Sequence, residues 1–490
     1  MREDHGVEII LELKNLAGKH VKPLRRSAAL HAETGSSAWL DLGHIDHGRN
    51  STATAWPGQP GLASLGQARS FPGNMSTQIT RRRFVQQGVF TILAAGSART
   101  YAANERLDIG IVGVANRAKA NLNGVAGENI VALCDVDSNF LAHEAGRFPR
   151  AKRYADFRRM IGLEKLDALV VSTPDHTHAV ATAAGLHNGL HVYCEKPLTR
   201  TVSECRAVTE LARRKKLVTQ MGTQIHAGDN YRRVVELLRA GAIGSVKEVH
   251  VWVGSDMGGG SRGNAKHKVP ANLDYDLWLG PTRYHVPYHP THHPFSWRQW
   301  WDFAGGSLAD LGCHHIDLSH WALGLQHPSR IEVVKGPKPD AEATPYSLVV
   351  NFHYKAHGKQ PATKLCWYHG EHRPPHFAEG LLPKWGNGSL FVGNNGMLLA
   401  DYDKHVLLPE KDFTDYEKPQ PNIPRSLGHH REWINAIKTG GTTTCNFDYA
   451  GPLAEVVLLG NIAHRTGAAL EWNHGEMKLT GHPEAAELMQ

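Results

Sequence analysis

The sequence predicts a doubly wound parallel sheet of the α/β class, followed by an α+β domain whose open sheet is mostly antiparallel. Between residues 107 and 224, five short apolar runs alternate with helical patterns, which is typical of parallel strands joined by crossover helices. From residue 246 onward, the runs instead alternate apolar and polar side chains and follow one another too closely for helical crossovers. These two patterns predict a parallel sheet first and an antiparallel sheet second.

The composition is that of an ordinary globular protein, with 41% hydrophobic and 21% charged residues in a chain of 490 residues. Its apolar runs are shorter than the roughly 18 residues of a membrane span, so no membrane span is expected. The formal net charge is +7, but residues 1–103 hold 12 Lys and Arg against 7 Asp and Glu, which leaves only +2 for the rest. Because no long basic run remains, nucleic acid is not an expected partner.

Residues 75–103 have the pattern of a twin-arginine signal peptide. Three arginines at 81–83 precede an uncharged apolar stretch at 88–97, and small residues surround Ala103. The pattern predicts export of the folded protein to the periplasm by the twin-arginine route. An amphipathic N-terminal helix is the alternative interpretation.

The position of this segment predicts where translation begins. Signal peptides start near the N-terminus, and Met75 stands directly before the arginines. We therefore expect translation to begin at Met75 and residues 1–74 to be a disordered or misassigned extension.

The first apolar run, at residues 107–113, has the features of a dinucleotide-binding turn. It ends at Gly113 and leads into a helical pattern, and the next run ends in Asp135, 22 residues later. In a Rossmann-type sheet this turn lets a pyrophosphate meet the helix N-terminus, and the acid binds a ribose hydroxyl. The glycine fingerprint is degraded, because Ala115 and Ala118 replace its later glycines, and an ordinary βαβ turn is the alternative. The residues expected to contact the cofactor here are Gly113, Ala115, Asn116, Arg117 and Asp135.

Polar residues follow the later strands of the same sheet. Ligands bind at the carboxyl ends of parallel strands in open α/β sheets, so these residues are expected to border one cleft. For Glu195 and Lys196, a surface salt bridge at a strand end is the alternative. The further residues assigned to the cofactor site are Ser172, Thr173, Pro174, His176, Glu195, Lys196 and Gln224.

Together these residues resemble the Gfo/Idh/MocA family, the group of glucose–fructose oxidoreductase and inositol dehydrogenase. The matching motifs are the Gly113 turn, Asp135, Ser-Thr-Pro-x-His at 172–176, Glu-Lys-Pro at 195–197, Gly-Thr-Gln at 222–224 and the segment 239–244, and the resemblance covers about residues 105–475. It implies an NAD(P)-dependent oxidoreductase that forms a homo-oligomer. It also implies that Lys196 contacts both cofactor and substrate, with a cis peptide bond before Pro197.

The second domain contributes the predicted acid–base group. A helical pattern after Gly305-Gly306 places Asp310 and His314 four residues apart, on one face. A carboxylate beside an imidazole orients it and raises its basicity, as general-base catalysis requires. By the resemblance, the catalytic residues are Lys196, His314 and Asp310. The residues expected at the substrate are Lys196, Trp297, Arg298, Asp310 and His314.

Other residues of this region leave alternatives open. Asp310, His314 and Asp317 have a spacing that could hold a metal, but the family mechanism needs none, so no metal is expected. The histidines at 285, 289, 292 and 293 could border the substrate pocket, and solvated loop histidines are the default. The six cysteines form no CxxC pair, which favours buried free thiols.

These observations predict an exported enzyme that transfers a hydride between a small sugar, polyol or related carbohydrate and a nicotinamide. Asp135 favours NAD, since a carboxylate repels the 2′-phosphate of NADP, but Arg117 leaves NADP open. Two alternatives are an NAD-dependent glycosidase that works through transient sugar oxidation and a non-catalytic sugar-binding protein. The predicted segments are the extension at 1–74, the signal peptide at 75–103, the cofactor domain at 104–225, the substrate and oligomerisation domain at 226–475 and a tail at 476–490.

Overall fold

A computed structural model describes residues 105–282 and 286–490. The predictions for residues 1–74 and 75–103, and for His285, lie outside these ranges. Within them, no helix is both long and apolar enough to cross a bilayer.

The first sheet is built from parallel strands. They are β1 (Asp108–Val112), β2 (Asn129–Cys134), β3 (Lys152–Tyr154), β4 (Ala168–Val171), β5 (His191–Cys194) and β6 (Thr219–Met221). Their order is β3-β2-β1-β4-β5-β6, which confirms the doubly wound sheet. The strand order reverses between β1 and β4, the switch point at which open α/β sheets bind ligands. Strand β3 was not predicted, because its three residues are exposed or half-buried and form no apolar run.

Helices follow these strands. They are α1 (Arg117–Val125), α2 (Ser138–Arg147), α3 (Phe157–Leu163), α4 (Asp175–His187), α5 (Val202–Lys215) and α6 (Asp229–Arg239). Local caps set several of their starts. The Asp137 carboxylate accepts the first backbone N–H groups of α2, and Thr201 with Glu204 forms a capping box at α5.

The second sheet is large and mostly antiparallel, as predicted. Its strands are β7 (Val246–Trp252), β8 (Arg330–Lys335), β9 (Leu348–Tyr354), β10 (Thr363–His369), β11 (Gly388–Gly393), β12 (Gly396–Ala400), β13 (His405–Leu408), β14 (Leu470–Asn473) and β15 (Lys478–Thr480). They lie in the order β13-β12-β11-β7-β10-β9-β8-β14-β15. Strands β7 and β10 pair in parallel, and the other described pairs are antiparallel.

The remaining helices pack on both sheets. They are α7 (Tyr275–Leu279), α8 (Gly306–His315), α9 (Asp317–Leu323), α10 (His429–Thr439), α11 (Phe447–Thr466) and α12 (Ala485–Leu488). The helix predicted around Asp310 is therefore two helices, α8 and α9, which meet at Ile316.

The packing of two segments bears on the predicted domain boundaries. Helix α10 buries Trp433 and Ile437 in the core of the first sheet, so residues 226–475 are not a separate domain throughout. The predicted tail at 476–490 instead supplies β15 and α12 and buries Leu479 and Ala485. Both segments depend on long-range burial that their short local patterns do not indicate.

Candidate active site

A cleft lies at the carboxyl ends of β1, β2, β4 and β5, and second-domain residues 277–278, 293–294 and 297–298 line one of its sides. The predicted site residues that line it are Gly113, Ala115, Asn116, Arg117, Asp135, Ser172, Thr173, Pro174, Glu195, Lys196, Trp297 and Arg298. His176, Gln224, Asp310 and His314 lie behind or beside this wall, and each has a different role.

The turn after β1 requires a glycine at its first position. Gly113 has φ +81°, and a Cβ there would lie 2.7 Å from the backbone oxygen of Ser172. The two later fingerprint positions both accommodate alanine. Ala118 is fully buried in the helix–sheet core, and Ala115 faces the cleft. The backbone cradle of a dinucleotide turn is therefore present despite the degraded fingerprint.

Asp135 occupies the expected position at the end of β2. Its carboxylate accepts the N–H groups of Val114 and Asp137, both at 2.9 Å, and burial raises its pKa. Next to it, Phe140 and Phe157 form an apolar wall that the sequence analysis did not identify. A ribose-binding acid beside an aromatic wall fits the adenosine half of a dinucleotide.

Glu195 supports the site from behind. Its Oε1 accepts hydrogen bonds from Arg117 at 3.0 Å, Asn121 at 3.0 Å and Gln224 at 2.8 Å. Gln224 also donates to the hydroxyl of Tyr193 at 2.8 Å. Gln224 thus holds Glu195 and Tyr193 in position, and its predicted contact with the cofactor stays a prediction. The Glu195 carboxylate holds the Arg117 guanidinium beside the nucleotide turn.

His176 likewise lies outside the lining of the cleft. It is 1% exposed, and its Nε2 lies 2.8 Å from the backbone oxygen of Trp278, so it joins α4 to the second domain. Burial lowers its pKa to about 3. A neutral, enclosed imidazole connects the two domains, and its predicted contact with the cofactor stays a prediction.

Lys196 joins the two halves of the site. Its Nζ donates to the Asp310 carboxylate at 2.6 Å and to the Asp310 backbone oxygen at 2.8 Å, and Arg298 Nε donates to the same carboxylate at 3.0 Å. Burial favours the neutral form of Asp310, but the charges of Lys196 and Arg298 hold its pKa well below the usual value. The peptide bond between Lys196 and Pro197 is cis, as the resemblance implied.

The predicted Asp310–His314 pair is not formed. Asp310 binds Lys196 and Arg298 instead, and within the described ranges no hydrogen bond joins it to the His314 ring. Burial, followed by the charge of Lys196, holds the pKa of His314 well below its usual value, so its imidazole is neutral at pH 7. Two full charges outcompete a neutral ring for the Asp310 carboxylate.

The carboxylate of Asp317 faces a different group of residues. It lies 3.0 Å from His226 Nδ1 and accepts a hydrogen bond from Tyr449 at 2.6 Å. Asp310, His314 and Asp317 therefore do not converge on one point, in spite of their helical spacing.

Asp175 is a site residue that the sequence analysis missed. It is 3% exposed, lines the cleft, and receives no side-chain hydrogen bond from the described part of the chain. Burial, with a contribution from Asp310, raises the pKa of Asp175 to about 8, although Lys196 and Arg298 oppose the rise. The sequence does contain a signal for this role of Asp175. The residue directly follows Pro174 at the end of a buried strand, and it begins a helix at the ligand edge of the sheet.

The fold and the cleft together define a two-domain protein with a dinucleotide-binding sheet. Residues 107–223 match the family model for the NAD-binding Rossmann fold of the Gfo/Idh/MocA oxidoreductase family. Residues 245–361 match the model for the C-terminal alpha/beta domain of that family. Both matched segments thus fit models of the Gfo/Idh/MocA oxidoreductase family, which supports the resemblance seen in the sequence.

Curated relatives include two sugar or polyol dehydrogenases. Inositol 2-dehydrogenase 1 of Saccharopolyspora erythraea is 35% identical over 151 residues, which are 29% of this chain and 44% of the relative. Levoglucosan dehydrogenase of Pseudarthrobacter phenanthrenivorans is 26% identical over 199 residues, 39% of this chain and 42% of the relative. The chain thus spans less than half the length of these relatives.

Solved structures share the fold over most of the described chain. GenD2 from gentamicin A biosynthesis, solved with NAD, has a TM-score of 0.54 and 18% identity, and covers 77% of this chain and 99% of its own. The WlbA dehydrogenase of Bordetella pertussis, solved with NADH and UDP-GlcNAcA, has a TM-score of 0.54, 14% identity and coverage of 75% and 99%. At these identities, the likeness shows the fold.

Proposed function

We propose that the chain is an NAD-dependent oxidoreductase that transfers a hydride between a sugar, polyol or related carbohydrate and nicotinamide. The observation that carries the proposal is the Lys196 ammonium group, held by Asp310 at 2.6 Å, in a cleft that also contains the dinucleotide turn. The cradle at Gly113, which a Cβ would fill, and the carboxylate of Asp135 fit the pyrophosphate and the adenosine ribose of the cofactor. Bound NAD would supply the hydride acceptor.

The residues of this chain would handle the proton. Lys196 would stabilise the negative charge that develops on the substrate oxygen as its proton leaves. The neutral imidazole of His314 would accept that proton, because departure of the hydride turns the hydroxyl into a protonated carbonyl, which is a far stronger acid than imidazolium. Asp310 is a positioning residue, since its carboxylate fixes Lys196 and Arg298 and does not reach His314.

The walls of the cleft support a carbohydrate substrate. Trp297 and Trp278 line it, and the Arg298 guanidinium lies 4.2 Å from the Trp297 ring centroid. Aromatic rings offer apolar faces to the C–H surfaces of sugars, and charged groups beside them bind hydroxyls. The named relatives, an inositol and a levoglucosan dehydrogenase, make a polyol or pyranose the first substrates to test. Formation of a homo-oligomer stays a prediction.

Asp135 is expected to select NAD over NADP. In the Asp135→Asn variant, the amide still accepts hydrogen bonds, but the charge that repels a 2′-phosphate is lost. We expect the Kd for NAD to rise about 10- to 100-fold, the value of one charge-assisted hydrogen bond. The ratio of NADP to NAD affinity should rise at the same time, as measured by calorimetric titration. The control is Asp108→Ala at the opposite end of β1, and equal NAD and NADP affinities in the wild type would exclude this role.

We also propose that the chain is exported by the twin-arginine route. The support is the sequence of residues 75–103, with its arginines at 81–83 and its short apolar stretch. Replacing Arg81 and Arg82 with lysine should leave the protein in the cytoplasmic fraction, whereas the unchanged chain should reach the periplasm. Equal partition of both forms between the fractions would contradict the proposal.

A further inference from the structure

A second cluster of reactive side chains lies outside the lining of the cleft, on the second sheet. Strands β7 and β10 pair in parallel, with His250 opposite Cys366 and Glu248 opposite Lys364. Because side chains alternate along a strand, these four residues share one face of the sheet. One ligand atom from each of Glu248, His250 and Cys366 lies within 4.8 Å of the others.

The separations in this cluster are those of ligands around one ion. His250 Nε2 lies 3.3 Å from Glu248 Oε1, and Cys366 Sγ lies 3.9 Å from the same oxygen. Zinc binds nitrogen and oxygen at about 2.0–2.2 Å and sulfur at about 2.3 Å, so ligands of a tetrahedral ion lie roughly 3.3–3.8 Å apart. The three side chains therefore need little movement to bind one ion.

The histidines supply an independent observation. His250 is 2% exposed, and its Nδ1 lies 2.9 Å from the hydroxyl of Tyr368, while its buried Nε2 faces Glu248 Oε1 at 3.3 Å without a well-aligned hydrogen bond. A ligating imidazole usually has its second nitrogen held in this way. His376, in the segment that crosses this face, also has a buried Nδ1 without a partner, and its ring centroid lies 4.8 Å from that of His250.

We propose that Glu248, His250 and Cys366, with His376 as the fourth ligand, bind a structural Zn²⁺ ion. Four protein ligands close the coordination sphere, which is typical of structural zinc sites. The ion would fasten residues 370–387 to the sheet and would take no part in hydride transfer. Binding releases the thiol proton of Cys366 to water, so affinity rises with pH.

Lys364 competes with the ion in the present arrangement. Its Nζ lies 2.8 Å from Glu248 Oε1, the oxygen that the other two ligands approach. The Lys364 side chain is 38% exposed and can turn into solvent when the ion binds. If Glu248 and Lys364 form only an ion pair and bind no metal, removing Lys364 leaves the affinity for Zn²⁺ unchanged. This difference makes Lys364 a discriminating probe.

The test is titration of the untagged, metal-free chain with Co²⁺ and then with Zn²⁺. We expect one equivalent of Co²⁺ to produce a thiolate-to-metal charge-transfer band, which Zn²⁺ abolishes. Cys366→Ser should remove the band, His376→Gln should weaken Zn²⁺ binding about 10- to 100-fold, and Lys364→Ala should strengthen it. No band in the wild type, or an equal band in Cys366→Ser, would overturn the proposal.

Matched variants separate this site from general binding of metal to histidines. His143→Gln removes an exposed histidine that lies 3.6 Å from Glu144 in the first domain, and it should leave the titration unchanged. NAD binding, measured in parallel, shows that each variant is folded. If Cys366→Ser does not fold, the half-buried loop residue His376 still decides, because unchanged affinity in His376→Gln and Lys364→Ala would exclude the site.

Discussion

Replacing Lys196 with alanine is expected to lower kcat at least about 100-fold, while the Kd for NAD rises less than about 10-fold. The variant loses the ammonium group that stabilises the developing alkoxide, a contribution of about 10²- to 10⁴-fold for one positioned acid or donor. The cofactor loses little, because the turn at Gly113 and the carboxylate of Asp135 are unchanged. The measurements are steady-state rates with myo-inositol or levoglucosan and calorimetric titration with NAD.

The control for this variant is Lys152→Ala. Lys152 pairs with Glu164 on the protein surface, outside the residues that line the cleft, and its loss should leave kcat unchanged. A Lys196→Ala enzyme that kept more than a tenth of the wild-type kcat would contradict the assigned role. If kcat were preserved and only the Kd for NAD rose, Lys196 would be a binding residue.

We expect the activity of the wild type to fall above about pH 8, and we expect Asp175→Asn to lack this fall. The pKa of Asp175 is raised to about 8, mainly by burial, so the carboxyl group is neutral at pH 7. When it ionises, a second carboxylate competes with Asp310 for Lys196 and displaces the ammonium group from its position. Asparagine keeps the neutral shape at every pH, so its kcat profile should stay level where the wild type declines.

The same ionisation affects stability. The folded state holds the Asp175 proton up to about pH 8, whereas the unfolded chain releases it near pH 4. Between these pH values the folded state binds more protons, so its stability falls as pH rises, by up to about 1.4 kcal/mol per pH unit. Asp175→Asn lacks this decline and should gain stability relative to the wild type between pH 5 and pH 8. The control is Asp403→Asn on the surface, and parallel pH dependences in all three proteins would contradict the assignment.

The sequence predicted those parts of the site that depend on short local patterns. Gly113, Asp135 and Lys196 each end a buried strand, and parallel strands bring such ends to one edge. The partner of Asp310 was not predictable in this way. Helical spacing predicts that His314 and Asp310 share one face of the helix. The tertiary fold, however, brings Lys196 to Asp310 from 114 residues away in the sequence, and the charge of Lys196 determines where the Asp310 carboxylate lies.

Other unpredicted contacts have the same origin. His176 was assigned to the cofactor because it follows Pro174, and its ring also meets the backbone of Trp278, 102 residues later. Cys366 joins Glu248 and His250 only through the pairing of β7 with β10, so the absence of a CxxC motif was not informative about this cluster. Long-range pairing determines these neighbours, and no local period indicates it.

The central claim is that this cleft binds NAD and that Lys196 is needed to reduce it. The direct test is to load the chain with NAD, remove the excess, and follow NADH absorbance after mixing with myo-inositol, levoglucosan and free aldoses. We expect at least one of these compounds to reduce the bound NAD in the wild type, and none of them to do so in Lys196→Ala. A chain that binds no NAD at millimolar concentration, or equal NADH formation in both proteins, would contradict the claim.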